Sequence, residues 1–160
     1  MAEFTISGNG VEWCKQAGKT FGQNLKAGAA ELGRILQSER SEIVKRTAGG
    51  KDAEGGTFAK YSKPYAKYKA KKLGSAAVTL RETGQMLQAV QVTSGATEAG
   101  IEGRISVLNS GRKGGSTNAA LARYHNEGTG KLPRRHWFDL SKEQAERVYK
   151  KIKDLIGKYV

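Results

Sequence analysis

The sequence predicts an α+β fold: a small antiparallel sheet packed by a long N-terminal helix and a C-terminal helix, with long polar loops between them. Three observations carry this. An apolar repeat of helical period runs from about Val11 to Lys45 without a proline, and a second begins after Ser141. Between them, two stretches alternate as strands do around a glycine-bounded connection. The 160 residues suit one domain, 1–160, with one core.

Taken in order, Glu3 to Ser7 alternates apolar and polar and ends at Gly8-Asn9-Gly10, which predicts a short strand and a turn. In the long helix, Phe21, Leu25, Ala29, Leu32, Leu36 and Ile43 recur at spacings of four, three or one heptad, with Gly18 and Gly28 as points where it could break. Thr47 to Thr57 has four glycines and no core-forming residue, which predicts a long loop or a partly disordered arm. Ser62 and Pro64 then open a short basic helix that stops near Gly74.

Val78 to Leu80 is apolar and β-prone. Thr83 is placed to cap a short helix that buries Met86, Leu87 and Val90. Val90–Thr93 and Ile101–Leu108 make a hairpin in which Ile101, Ile105 and Val107 share one face and Glu102, Arg104 and Ser106 the other. A second polar loop leads into a helix over NAALARYHNEG, followed by the segment LPRRHWFDLS. Ser141 and Gln144 form a capping-box pair for the last helix, where Ala145, Val148, Ile152, Leu155 and Tyr159 recur at three and four.

Composition narrows the function classes. With 38% hydrophobic residues and 21 glycines the core is modest. The lone Cys14 rules out an internal disulfide, and Cys14 with His125 and His136 matches no recurring zinc spacing, so neither metal nor cofactor is expected. No apolar run approaches the roughly 20 residues of a membrane span, and the N-terminus lacks the pattern of a signal peptide, so synthesis and residence in a cytoplasm are expected, with no membrane partner. The net charge of +13 points to nucleic acid, an acidic protein surface or a lumen near DNA.

No nucleophile, base and orienting group are grouped in the sequence, and Cys14 reads as a small apolar filler, so an enzyme is not expected. Two candidate surfaces stand out. Lys60, Lys63, Lys67, Lys69, Lys71 and Lys72 interleave with Tyr61, Tyr65 and Tyr68, a composition that serves either a backbone-tracking nucleic-acid site or an amphipathic helix with its tyrosines inward. Pro133, Arg134, Arg135, Trp137 and Phe138 form the densest aromatic and arginine patch, which suits a subunit or partner interface and equally a core strand.

The order of these elements resembles the tail-completion, or virion-morphogenesis, family of tailed bacteriophages. The resemblance runs through DAEGGTFAKYSKPYAKYKAKK and LRETGQMLQAV to ARYHNEGTGKLPRRHWFDLS. Thr83, Gly84 and Leu87 are similar to that family's helix start. His125, Gly128, Pro133, Arg135, Phe138, Leu140 and Ser141 are similar to its closing segment, although His136-Trp137 precedes Phe138 where a smaller or apolar lead-in is usual. The resemblance implies a virion protein made in the host cytoplasm and forming a ring, expected as a hexamer, at the head–tail junction or head-proximal tail end. Its partners would be other copies and neighbouring neck, connector, tail-tube or terminator proteins, with genome DNA passing through the lumen. The glycine-bearing segments near Gly49–Gly56 and Gly111–Gly115 would order against neighbours. The alternative reading is a basic nucleic-acid-binding protein that uses the Lys60–Lys72 segment.

Overall fold

The computed structural model describes residues 8–97, 100–111, 115–129 and 132–159, with side chains from residue 16 onward. The strand expected at Glu3–Ser7, the side chain of Cys14 and most of the Gly111–Gly115 loop lie outside the described residues. The elements are α1 (Gly8–Ala48), α2 (Lys63–Leu73), α3 (Gln85–Gln88), β1 (Val90–Thr97), β2 (Gly100–Val107), α4 (Asn118–Glu127) and α5 (Lys142–Tyr159). The α+β architecture holds, with β1 and β2 as an antiparallel pair between the two long helices in sequence.

Helix α1 runs unbroken through Gly18 and Gly28, so its 41 residues span about 60 Å at 1.5 Å per residue. Leu25, Ala29, Leu32 and Ile43 bury its core-facing stripe. Upstream, residues 16–24 are exposed apart from Gly22, and Phe21 carries the stripe into solvent at 55% exposure.

The hairpin lies directly on α1, and small residues set how close it comes. A Cβ on Gly33 would sit 2.6 Å from Ser94 Oγ, one on Gly28 would sit 2.5 Å from Ile101 Cδ1, and one on Gly103 would meet Leu36 and Leu32 at 2.6 and 2.9 Å. Ser94 pairs with Gly103, so two of these contacts fall on one rung of the ladder. The inward face also carries Val90, Val92, Ile105 and Val107, as the alternation of Ile101, Ile105 and Val107 predicts.

Helix α5 packs antiparallel along α1, from Gln144 near Glu39 to Tyr159 near Glu31. The expected capping box is formed: Gln144 N donates to Ser141 Oγ at 3.2 Å, and Ser141 N donates to Gln144 Oε1 at 3.1 Å. Glu39 is fully buried in the α1–α5 seam and accepts from Gln144 Nε2 (3.1 Å) and from Arg147 Nε and Nη2 (3.2 and 2.8 Å), with Lys151 Nζ at 3.8 Å. Burial pushes the Glu39 carboxyl up, but its hydrogen bonds from Arg147 and Gln144 outweigh that and hold it below the usual carboxylate range.

Two readings are sharpened. Val78–Leu80, though β-prone, forms no strand, and the chain turns at Leu80, whose φ of 48° is the one positive value at a non-glycine among the described residues. Of the loop or partly disordered arm expected at Thr47–Thr57, the loop is what forms, after Thr47 and Ala48 complete α1. Asp52 Oδ1 accepts from Glu54 N and Gly56 N at 3.0 and 2.7 Å, Lys51 bridges Thr57, and Ala53 is buried with its N–H on His136 O at 2.8 Å.

Filling the close approach is therefore expected to destabilise the protein: Gly103→Val should cost about 1–3 kcal/mol in urea unfolding. Gly95→Thr, where a Cβ meets nothing within 4 Å, should be neutral or stabilising by up to about 1 kcal/mol. Arg147→Met should cost about 1–2 kcal/mol near pH 7, less than for a fully enclosed pair because Arg147 is partly exposed and Lys151 remains. The sign follows from a depressed carboxyl: its stabilisation is complete above the unfolded value of about 4.3 and is lost as pH falls through the lower folded value. Unfolding at a series of pH values should show the gap between wild type and Arg147→Met closing across that window.

Candidate functional site

The two candidate surfaces meet in space. Helix α2 starts with Pro64 in its first turn and ends at Gly74, whose φ of 72° is the left-handed stop that glycine adopts without strain; Ser62 holds the cap position without a side-chain hydrogen bond. Its tyrosines share one side, with Tyr61 and Tyr65 edge to face at 4.8 Å and Tyr65 and Tyr68 at 5.9 Å between centroids. Tyr65 and Tyr68 donate to the Glu82 carboxylate at 2.9 and 3.3 Å, and Lys72 Nζ joins them at 2.9 Å. The Lys72 bond, then the Tyr65 bond, keeps Glu82 ionised below the usual carboxylate range, while burial, followed by the Glu82 bond, pushes the Tyr65 phenol up.

Not all the lysines belong to one basic face. Lys60, Lys63, Lys67 and Lys71 are exposed, as expected. Lys69 is a correction: only 3% exposed, it donates to Ala77 O and to Thr79 Oγ1 (3.1 Å) and lies 5.0 Å from the Tyr61 ring centre. Lys69 stands four positions after Tyr65, which at 3.6 residues per turn puts the two on the same side of α2. Burial lowers its pKa. Lys72 is exposed but tied to Glu82 and to Tyr68 Oη.

The Leu132–Leu140 segment is likewise divided. Pro133 and Arg134 are on the surface and Phe138 is partly buried. Arg135 (2% exposed) and Trp137 (0%) are internal, which corrects their assignment to a contact surface. Arg135 donates through Nε to Ala59 O (3.1 Å) and through Nη2 to Lys60 O (3.4 Å), with its guanidinium 4.9 Å from the Tyr61 ring centre. Burial lowers its pKa. Arginine serves here as a planar brace between the segment and the start of α2.

No sheet supports the backbone around Trp137, so its polar groups are paired from elsewhere. Arg135 N donates to His125 O (2.7 Å), and Asn126 Oδ1 accepts from Trp137 N (3.1 Å) and Phe138 N (3.0 Å). Arg46 Nη2 donates to Trp137 O (3.1 Å) and Asp139 O (2.7 Å), and the indole Nε1 donates to Ala122 O at 3.1 Å.

Between α2 and α4 these elements leave a cleft of about 320 Å³. Its lining includes Tyr61, Tyr65 and Glu82, the apolar Met86 and Leu121, and His125 and Pro133. Among the described residues no group of three His, Cys, Asp or Glu is placed to hold a metal ion, and no helix is long and apolar enough to cross a membrane.

Sequence reasoning missed the edges of the hairpin. Leu108 N donates to Ala89 O, which fixes the phase of the ladder, so Val92, Ser94 and Ala96 of β1 and Ile101, Gly103 and Ile105 of β2 direct their backbone N–H and C=O outward. Among the described residues no backbone hydrogen bond joins either outer edge to another element; only Val90 O is taken, by Arg40 Nε at 2.6 Å. Strand alternation gives the faces of a hairpin but not whether a third strand covers its edge.

Comparison of the chain with protein-family models, curated proteins and solved structures finds no match.

Asn126→Ala should leave two amides beside Trp137 without an acceptor and cost about 2–4 kcal/mol in denaturant unfolding. Asn126→Asp, which keeps the acceptor, should recover most of that loss.

Proposed function

We propose that the chain is a non-enzymatic virion protein of a tailed bacteriophage, one subunit of a homo-oligomeric ring at the head–tail junction or the head-proximal end of the tail. The observation that carries the assembly part of this reading is the pair of open hairpin edges. A two-stranded sheet has two different edges on opposite sides, and β1 of one copy pairing with β2 of the next is a head-to-tail contact. Such contacts generate rings when the rotation closes. Eight-residue strands with no outer partner among the described residues would otherwise be an aggregation liability.

The virion placement rests on the resemblance of the Thr83–Leu87 and His125–Ser141 segments to tail-completion proteins. In this reading the subunit is made in the host cytoplasm and meets neighbouring neck, connector or tail proteins above and below the ring. Pro133 and Arg134, the exposed part of the arginine-aromatic segment, remain available for such a contact. Closure strengthens weak pairings, because the last contact forms within an assembly already held together.

Light scattering across protein concentration and salt is expected to give a discrete closed oligomer. Ala96→Pro removes one outward N–H while sparing the ladder, so it should leave a folded monomer with an unchanged circular dichroism spectrum. A wild-type monomer at every concentration, or an oligomer indifferent to Ala96→Pro, would overturn edge-to-edge closure.

A further inference from the structure

Helix α2 separates its cations into two sets that do different things. Lys69 and Lys72 are on the tyrosine side and engage Ala77, Thr79, Tyr68 and Glu82. Lys63, Lys67 and Lys71 follow one another at every fourth position, so they form a single stripe along the outer face. Lys60, also exposed, lies just before the helix. None of these four has an ion pair among the described residues. The sequence from Gly55 to Arg81 contains no Asp or Glu to neutralise them.

We infer that this outer face of α2 binds the phosphate backbone of duplex nucleic acid without reading its sequence. Lys63 to Lys71 covers about 12 Å of helix axis, the rise of roughly three to four base pairs. Lysines present mobile point charges rather than the planar fork of arginine, which suits phosphate contact and not base-edge recognition. Duplex is favoured over single strands because stacking on bases needs free aromatic faces. Here the tyrosines pack on one another on the other side of α2, with Arg135 and Lys69 over Tyr61, and the half-exposed Tyr68 carries Lys72 over its ring. A second copy of the chain is a poor occupant, since it carries the same excess of positive charge. The inference stands on the charge geometry of α2 and does not require ring closure.

The test is fluorescence anisotropy with a labelled mixed-sequence duplex, and with a single strand of equal length, across about 50–300 mM salt. Wild type is compared with the triple variant Lys63→Gln, Lys67→Gln, Lys71→Gln and with a charge-matched control, Lys142→Gln, Lys150→Gln, Lys153→Gln, on exposed positions of α5. Duplex should bind more tightly than single strand. The α2 triple should flatten the slope of log K against log salt by about 2–3 units, near 0.9 per lost phosphate contact, while the α5 triple changes it by less than about one. Equal loss in both triples would reduce the effect to net charge and overturn the site, as would preferred binding of the single strand. Displacement of the duplex by polyglutamate at equal charge would assign the face to an acidic protein surface and also overturn it. Light scattering on the same samples reports assembly separately, so a failed ring and a failed phosphate face are distinguishable.

Discussion

Trp137 is wholly enclosed on a stretch of chain that belongs to neither helix nor sheet, and the rest of the body is organised around satisfying that stretch. The indole is the largest fully buried side chain of the core, beside Ile43, Phe58, Met86 and Val90. Burying it carries the adjoining backbone of residues 135–138 partly out of water, where an unpaired amide or carbonyl costs about 1–3 kcal/mol. Helix α4 supplies Asn126 and the His125 carbonyl, α1 supplies Arg46, and the Asp52 loop supplies the Ala53 amide. Three distant parts of the chain are thereby fixed relative to one another by a segment with no regular structure. The Asp52 loop is ordered because it belongs to that accounting, despite its glycine-rich composition.

Helix α1 is the second organiser, because it offers a different kind of surface to each neighbour. Towards the hairpin it presents Gly28 and Gly33, which admit the side chains of Ile101 and Ser94, and Leu32 and Leu36, which pack over Gly103. Towards α5 it presents Glu39, Glu42 and Glu31, and contact is by ion pairs and hydrogen bonds to Arg147, Gln144 and Lys158. Gln144 joins the α5 seam to the Trp137 segment, since its carbonyl oxygen accepts from both Ser141 N and Arg46 Nη1 while its amide donates to Glu39. One residue thus closes a helix cap, fixes an arginine and helps hold a buried carboxylate.

Much of this was legible in the sequence where one local rule decided the outcome. The period of α1 and α5, the Ser141–Gln144 cap and the two faces of the hairpin follow from spacing alone. The failures share a cause: long-range pairing overrode composition. Val78–Leu80 has strand-forming residues but no partner strand, and the chain turns at Leu80 instead. Arg135 and Trp137 look like interface residues because the features that enrich them at interfaces, area and hydrogen-bonding reach, serve a core equally well. Lys69 was recoverable, since its position four residues after Tyr65 puts it on the tyrosine side of the helix. The close approach at Gly28, Gly33 and Gly103 was not, because nothing local marks a helical or strand glycine as one over which a distant side chain will pack.

The unbroken length of α1 has a mechanical meaning. From Gly28, where Ile101 and Tyr159 meet it, the helix continues about 30 Å to Gly8 as a rigid rod. Its other end is clamped by the hairpin and α5 over the following turns. A sideways push near Gly8 would therefore act as a torque on that clamp, and the tight packing at Gly28, Gly33 and Gly103 would pass it to the hairpin that carries the strand edges.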